Sequence, residues 1–384
     1  MNQPDKKRLK QLRMSGILDN RPRLGPQTVH FDIANGCNVR CTTCWHHSPH
    51  LNEAHVPSIE WKRKAMSFAT YRKIMDDLIE LGGLEQIILS GMGDPSLNPE
   101  LPEMVRFAHQ AGVGVTIITN LLALDLKELL ASPGELNLLT SVCGVAEQTW
   151  NAFHGGSFAG GFGRLIKQLD LLKAASFLPK HVQVINSQNY HEVPNMVRFA
   201  SKWPAKRVNF KFASLINGTE AVALSDEQKR ELVEILIPRA SAIAELKGIE
   251  TDLAAFKTQI SVGDHATAPI EEVGCYMGTI YCRITVDLEL LYCCNTEISV
   301  GYLSDATSFN DLWNGESYRK LRARIGSGDY FDSCRQCGKY KQNYKWADKL
   351  GRLNVLANDA CADKTSDRIA LAVTCDKPGV VNEH

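Results

Sequence analysis

Val29-His30-Phe31-Asp32-Ile33 runs straight into Ala34-Asn35-Gly36-Cys37-Asn38-Val39-Arg40-Cys41-Thr42-Thr43-Cys44-Trp45. A short apolar run with strand composition opens directly onto a polar loop that holds three cysteines. The seven residue steps from Cys37 to Cys44 reach about 23 Å at full extension, so a coiled loop can gather all three thiolates around one metal cluster. A cubane of four irons usually takes four cysteines. Three ligands leave one iron open, and an open position separates reactive metal centres from closed structural ones. Zinc remains the alternative, although zinc ligands commonly come as spaced pairs with a distant second pair, which this compact triplet does not supply.

Outward from this loop, short apolar runs alternate with segments of helical period, the pattern of successive βα units around a parallel sheet. Strands are expected near Val29 to Ile33, Gln86 to Leu89, Val113 to Thr119, Leu136 to Val142, His181 to Asn186 and Arg207 to Ala213. Helices are expected near Phe68 to Leu81, Leu101 to Ala111, Leu124 to Leu130, Phe162 to Ala175 and Val193 to Trp203. A further helix, Ser225 to Lys247, opens on Ser225-Asp226-Glu227, a capping signature. From Gly274 to Tyr340 the chain turns Cys-rich and short-stranded, with a hairpin between Tyr281 and Cys293. The division read from this is a basic arm and linker at 1–28, an α/β body at 29–250, a Cys-rich domain at 251–345 and a loosely organised tail at 346–384. Lys6, Lys7, Arg8, Lys10 and Arg13 read as a solvated face of the arm.

The 384 residues carry 43 basic and 43 acidic side chains, with a pI near 7.1. That length suits two domains. The neutral balance argues against a nucleic-acid binder. No stretch is long and apolar enough to span a membrane, and no signal peptide opens the chain, so a cytoplasmic location without membrane contact is expected. In that compartment the 12 cysteines are expected to bind metal or do chemistry rather than form disulfides.

With its Cys-x3-Cys-x2-Cys loop after the first strand, the chain resembles the radical S-adenosylmethionine (radical SAM) superfamily over roughly residues 29 to 340. The resemblance implies a partial (β/α)6 TIM-like barrel. It also implies a [4Fe-4S] cluster held by Cys37, Cys41 and Cys44, with the fourth iron chelated by SAM. Reductive cleavage of SAM would then yield a 5′-deoxyadenosyl radical that abstracts hydrogen from a substrate. The aromatic residue common before the third cysteine is Thr43 here; Trp45 either takes its place or packs in the core. Gly91-Met92-Gly93-Asp94-Pro95 looks like the family's Gly-Gly-Gly-Glu-Pro segment, which contacts the methionine amino group, and Leu97-Asn98-Pro99 matches the pattern that follows it. Two glycines at a strand end also allow close backbone approach to a ligand.

Parallel barrels place ligand groups at the C-terminal ends of their strands. Thr119, Asn120, Ser141, Cys143, Asn186, Ser187, Gln188 and Lys211 stand there, and together form a polar rim suited to SAM and substrate. Cys143 occupies a position where the family commonly has Asp. It reads either as a buried packing thiol or as a hydrogen-atom donor facing the radical. His46, His47, His50 and His55 read as surface or substrate-contact residues. Trp150, Phe153 and His154 read as helix packing.

Cys275, Cys293, Cys334 and Cys337 form a second set, which zinc could also satisfy by spacing alone. With Asp287, Gly301, Leu312-Trp313-Asn314 and Leu321-Arg322 this segment looks like the family's auxiliary-cluster extension. Positions 338 to 360 lack cysteine, as in the shortened twitch type of the SPASM domain, which implies a small α+β domain with one auxiliary [4Fe-4S] cluster. Asp287 stands six residues before Cys293, as in the family's Asp-Gly-x-Val-x-x-Cys strand, with Leu288 in place of Gly; that register selects Cys293 over Cys294. Cys282, Cys294, Cys361 and Cys375 carry no assigned role.

The resemblance implies an oxidoreductase served by an external one-electron donor such as a flavodoxin or a ferredoxin-like protein. With only 28 residues before the first strand, the expected substrate is a small polar molecule, such as a sugar or aminocyclitol. The alternatives are maturation of a ribosomally made peptide and a non-catalytic iron-sulfur or zinc scaffold.

Overall fold

β1 (Thr28–Asp32) is buried along its whole length and lies inside a nine-stranded sheet of order β6-β5-β4-β3-β2-β1-β7-β8-β9. The computed structural model describes residues 3–351, apart from 157, 264–268 and 295–297. β2 (Gln86–Ser90), β3 (Gly114–Thr119), β4 (Leu136–Ser141), β5 (Lys180–Ile185) and β6 (Arg207–Phe212) follow β1 outward, each parallel to its neighbour. On the other side of β1 lies β7 (Tyr281–Ile284), also parallel, then β8 (Glu289–Leu291) and β9 (Ser299–Tyr302), both antiparallel. The first six strands are the expected partial barrel. All six fall within a residue of their sequence-read positions, because each is a short apolar run closed by polar or glycine-containing turns.

Alternation along each strand divides the sheet into two faces. Phe31 meets Tyr71 of the helix Phe68–Leu81, with ring centroids 5.2 Å apart, so His30 and Asp32 stand on the opposite, concave face. That helix buries Tyr71, Ile74, Met75 and Leu78, one stripe at helical spacing. It starts at Ser67, whose side chain accepts the Thr70 N–H, and stops at Gly82, whose φ is 70°. On β6, Val208 and Phe210 join the outer helices in the core, and Phe210 lies 5.7 Å from Phe256. Arg207, Asn209 and Lys211 therefore share the concave side.

Four expectations need correction. The N-terminal arm, helical over Gln3–Leu18, is not wholly solvated: Arg13 is 2% exposed and donates to the Gly25 and Gly83 carbonyls. Its basic run hid Met14 and Ile17, which pack on the core. The helix Leu253–Val262 belongs to the barrel, since Leu253, Phe256 and Ile260 share its core. The tail is helical to Lys349, with Trp346 and Ala347 buried. Finally, the helix from Ser225 is interrupted by a wider π turn at Leu232–Leu236. Pro238 explains this, because it lacks an N–H and its ring crowds the carbonyl four residues back. The capping signature is borne out: Ser225 accepts the Gln228 N–H, and the Gln228 side chain accepts the Ser225 N–H.

Candidate active site and cluster centres

The cysteine loop leaves the C-terminal end of β1 and is gripped by backbone on two sides. On one side the Gly93 N–H donates to the Ala34 carbonyl at 3.1 Å and the Asp94 N–H to the Gly36 carbonyl at 2.8 Å. A β-carbon at Gly91 would lie 1.9 Å from the Ala34 oxygen, and one at Gly93 would lie 1.8 Å from the Gly36 oxygen. The two glycines thus admit the cysteine loop itself, whereas the sequence suggested the approach of a ligand. On the other side, the short helix Glu147–Phe153 ends against the loop: Thr42 N–H donates to Phe153 O at 2.8 Å and Arg40 N–H to His154 O at 3.3 Å. The helix-packing reading of Trp150, Phe153 and His154 agrees with this helix, which buries Trp150 and Phe153 and ends at His154. Asn98 closes the grip from below, donating to the Ile33 and Met66 carbonyls at 2.9 and 2.8 Å.

Burial and the charge of Asp94 push the Cys37 thiol up to about 12. Burial, then Cys44, Cys37 and Cys143, raise Cys41 well above its ordinary value; burial also raises Cys44. Three such thiols stay protonated until a cation displaces their protons, as expected of a metal site whose loading releases protons. Among the described residues no three His, Cys, Asp or Glu side chains converge on a single ion. A cubane spreads its thiolates over separate irons, so the loosely gathered triplet suits a cluster better than a lone zinc.

The other expected residues divide. Asn120 reaches the loop, donating to Asn38 at 2.6 Å, with its amide nitrogen 3.9 Å from the Cys37 sulfur. Asp94 is buried and already occupied. It accepts the Ser96 N–H and hydroxyl, the Thr119 hydroxyl and the Asn120 N–H, at 2.5 to 3.1 Å. Burial raises its carboxyl against the pull of these donors. It braces the loop instead of reaching outward, which the one missing methylene relative to Glu makes necessary. Ser187 turns away from the mouth, its N–H and hydroxyl both at 3.1 Å from the Val222 carbonyl. Ser141 stays half-buried at the end of β4. Met92 faces the second domain, its sulfur 3.4 Å from an Arg283 nitrogen. Trp45 is 41% exposed, so it is not core; its Nε1 donates to Ser214 O at 2.8 Å. His47 is buried against Asn35 O at 2.9 Å, burial lowers His46 to about 4, and His50 and His55 are exposed.

Cys143 is 1% exposed and adopts a left-handed backbone, φ 52°. Its sulfur lies 3.6 Å from Val182 O and 3.4 Å from Val184 N, bridging to β5, and burial pushes the thiol to about 12. This geometry favours the packing role over the hydrogen-donor role. Cys143→Ala is expected to leave SAM cleavage and product within about twofold and to lower stability by about 1 to 2 kcal/mol. A changed product from folded protein would restore the donor role.

Sequence reading missed the contacts that join the two halves. Arg283 of β7 holds Asp32 of β1 in a two-pronged ion pair, Nε to Oδ2 at 2.9 Å and an Nη to Oδ1 at 3.0 Å. A further Arg283 nitrogen lies 3.4 Å from the Cys294 carbonyl. The available signal was a carboxylate at the end of a strand read as buried. Thr42 is likewise tied to the loop that follows β5, donating to Gln188 at 2.8 Å.

In the second cysteine set, Cys275, Cys334 and Cys337 lie within electrostatic reach of one another. Burial raises all three thiols, Cys275 to about 12 and Cys337 to about 11. Asn343 ties the set together, accepting the Tyr276 N–H at 2.9 Å and donating toward the Cys337 sulfur at 3.6 Å. A β-carbon on Gly338 would sit 3.2 Å from the Cys294 sulfur. Cys294 also acts on Cys275, Cys334 and Cys337. A hydrogen bond from Cys293 lowers its own pKa. Cys294 therefore belongs beside Cys293 as a candidate fourth ligand. Leu288 has φ 65°, the left-handed turn position that the family's Gly would suit. Cys282 is fully buried core, while Cys361 and Cys375 lie outside the described residues.

Arg322 holds this domain from within. It is 2% exposed, donates to Gly278 O at 2.6 Å and Trp313 O at 2.7 Å, and lies 3.8 Å from the Tyr318 ring centroid. Arg322→Met is expected to cost about 3 kcal/mol, read in denaturant melts, because two buried carbonyls lose their donors. An unchanged midpoint would refute this.

Residues 31–146 match the family model for the Radical SAM superfamily, and residues 275–338 match the iron-sulfur cluster-binding domain SPASM. The AdoMet-dependent heme synthase of Methanosarcina barkeri is 25% identical over 349 residues, covering 83% of this chain and 92% of its own length. A PqqA peptide cyclase of Rhodopseudomonas palustris is 29% identical over 191 residues, 48% of this chain and 46% of that enzyme. Streptococcus suis SuiB bound to S-adenosylmethionine superposes with TM-score 0.61 at 14% identity, over 85% of this chain and 74% of that one. SuiB bound to precursor peptide SuiA gives 0.59 at 15%, over 89% and 76%. Among the described residues, no helix is long and apolar enough to cross a membrane.

Proposed function

We propose that this chain, a radical SAM enzyme with a C-terminal SPASM-type cluster domain, modifies a ribosomally made peptide by abstracting a carbon-bound hydrogen. Its cofactors are SAM, a [4Fe-4S] cluster and an auxiliary cluster. Cys37, Cys41 and Cys44 would hold the first cluster. Cys275, Cys334, Cys337 and one of Cys293 and Cys294 would hold the second. The single observation that carries the reading is the three-thiol loop gripped by backbone on both sides, with no fourth cysteine ligand supplied from its own sequence.

Bound there, the cluster and SAM supply a 5′-deoxyadenosyl radical able to take hydrogen from carbon. The chain's own residues perform the positioning. Gly91, Gly93 and Asp94 fix the height of the loop over β1. Asn120 orients Asn38 beside Cys37, and the Asp32–Arg283 pair locks the auxiliary domain onto the strand that carries the loop. Removal of a second electron through the auxiliary cluster would make the overall reaction an oxidation.

The substrate class comes from the peptide cyclases among the relatives and from the peptide-bound structure of like fold. These support the peptide alternative better than the sugar or aminocyclitol first expected. A second reading, a tetrapyrrole substrate, is favoured by the heme synthase, whose similarity runs nearly end to end. Anaerobic turnover with peptides encoded beside this chain's gene separates the two. The peptide reading expects a peptide mass change together with deuterium transfer from labelled peptide into 5′-deoxyadenosine. Turnover of a porphyrin and of no peptide would overturn it.

A further inference from the structure

We propose that Arg283 is a positioning residue that sets the reduction potential of the auxiliary cluster, by holding a fixed cation between the end of β1 and the segment that carries Cys293 and Cys294. This rests on the auxiliary cluster of the reading above and not on the peptide substrate. Arg283 stands opposite His30 in the register of β1 with β7, so it shares the concave face with Asp32.

A guanidinium presents its N–H donors as a rigid planar fork, and the contacts of Arg283 divide by edge. The Asp32 carboxylate takes the edge formed by Nε and Nη2, at 2.9 and 3.0 Å. Nη2 also lies 3.4 Å from the Met92 sulfur. Nη1, on the other edge, lies 3.4 Å from the Cys294 carbonyl. The cation therefore stands between Asp32 and Cys294, with the carboxylate on its far side. Cys294 in turn borders the Cys334–Cys337 pair, since a β-carbon on Gly338 would sit 3.2 Å from its sulfur. The Arg283 side chain is 12% exposed, so water and salt screen its charge weakly. A cluster that gains an electron becomes more negative by one charge, and a nearby cation or N–H donor stabilises that state. Arg283 thus raises the potential, while Asp32, farther off, lowers it by less. In the oxidation proposed above, the cluster gains the one electron that the substrate radical loses, and the raised potential favours that transfer.

An anaerobic redox titration of the reconstituted full chain tests this without turnover. The electron paramagnetic resonance signal that SAM addition leaves unchanged reports the auxiliary cluster, and its midpoint is compared among proteins holding about eight irons. Asp32→Asn removes the more distant charge, and its midpoint should rise. Asp32→Asn combined with Arg283→Met removes both charges at unchanged net charge. Its midpoint should fall far enough to lower the ratio of reduced to oxidised cluster about tenfold at fixed poise, or about 59 mV for one electron. A pair with a purely structural role would not move the two midpoints in opposite directions. An unchanged midpoint in either variant, a fall in Asp32→Asn or a rise in the double variant overturns the role of Arg283. If the double variant loses iron, Asp32→Asn still decides, because asparagine keeps the shape of aspartate. A parent protein without any SAM-insensitive signal overturns the auxiliary-cluster reading and this proposal together, and that result is seen before any variant is titrated.

Discussion

Gly93→Ala is expected to empty the first cluster site while sparing the second. Its new methyl would stand 1.8 Å from the Gly36 oxygen and 2.3 Å from the Gly36 carbon. Both are backbone atoms of the cysteine loop, so no side chain can swing aside, and either the loop or the strand end must move. Overpacking against backbone falls in the rare class of substitutions that cost more than about 4 kcal/mol. The metal readout is sharper than the stability readout. Two cubanes hold about eight irons, so the variant should retain about four and lose SAM cleavage. Gly163→Ala is the control. Its β-carbon meets nothing within 4 Å, and alanine in a helix should stabilise by roughly 0.5 to 1 kcal/mol. A Gly93→Ala protein with full iron would show that the loop is not held as described.

Arg283→Met should be the most damaging change away from the cysteines. Asp32 is fully buried, and removing its partner strands a charge, at a cost of about 3 to 5 kcal/mol. The pH dependence distinguishes this from lost packing. Burial already raises the Asp32 carboxyl above its ordinary value, and only Arg283 opposes this. Without the arginine, the folded-state pKa rises further above the unfolded one. The variant should therefore lose stability as pH rises through that raised folded value and regain it on acidification. Asp32→Asn with Arg283→Met should recover most of the loss, since the two positions act as one pair. Equal deficits at all pH values would assign the effect to packing.

The barrel was legible because buried parallel strands read as short apolar runs, as Ile87-Ile88-Leu89 of β2 shows, although β1 itself buries Thr28, His30 and Asp32 beside Val29 and Phe31. The cysteine triplet was legible for the opposite reason: three thiols within eight residues break every pattern that a fold alone requires. The partners of that triplet were not. Gly93 was read as room for a ligand, yet it is room for Gly36, because sequence separation hides which backbone fills the space. Asp94 looked like a cofactor contact, and it is spent on Ser96, Thr119 and Asn120. Arg283 was invisible for a simpler reason. It gains meaning only when β7 docks beside β1, a pairing across about 250 residues that no local period encodes. The choice between Cys293 and Cys294 shows the same limit, since strand register selects the first and packing against Gly338 brings in the second.

The central claim is that Cys37, Cys41 and Cys44 hold a cluster with one iron left for SAM. Mössbauer spectroscopy of the full chain, reconstituted anaerobically with enriched iron and recorded before and after SAM addition, tests it most directly. The account predicts that about one iron in eight changes its signal on addition. A spectrum that SAM leaves unchanged, in protein with full iron content, would contradict it.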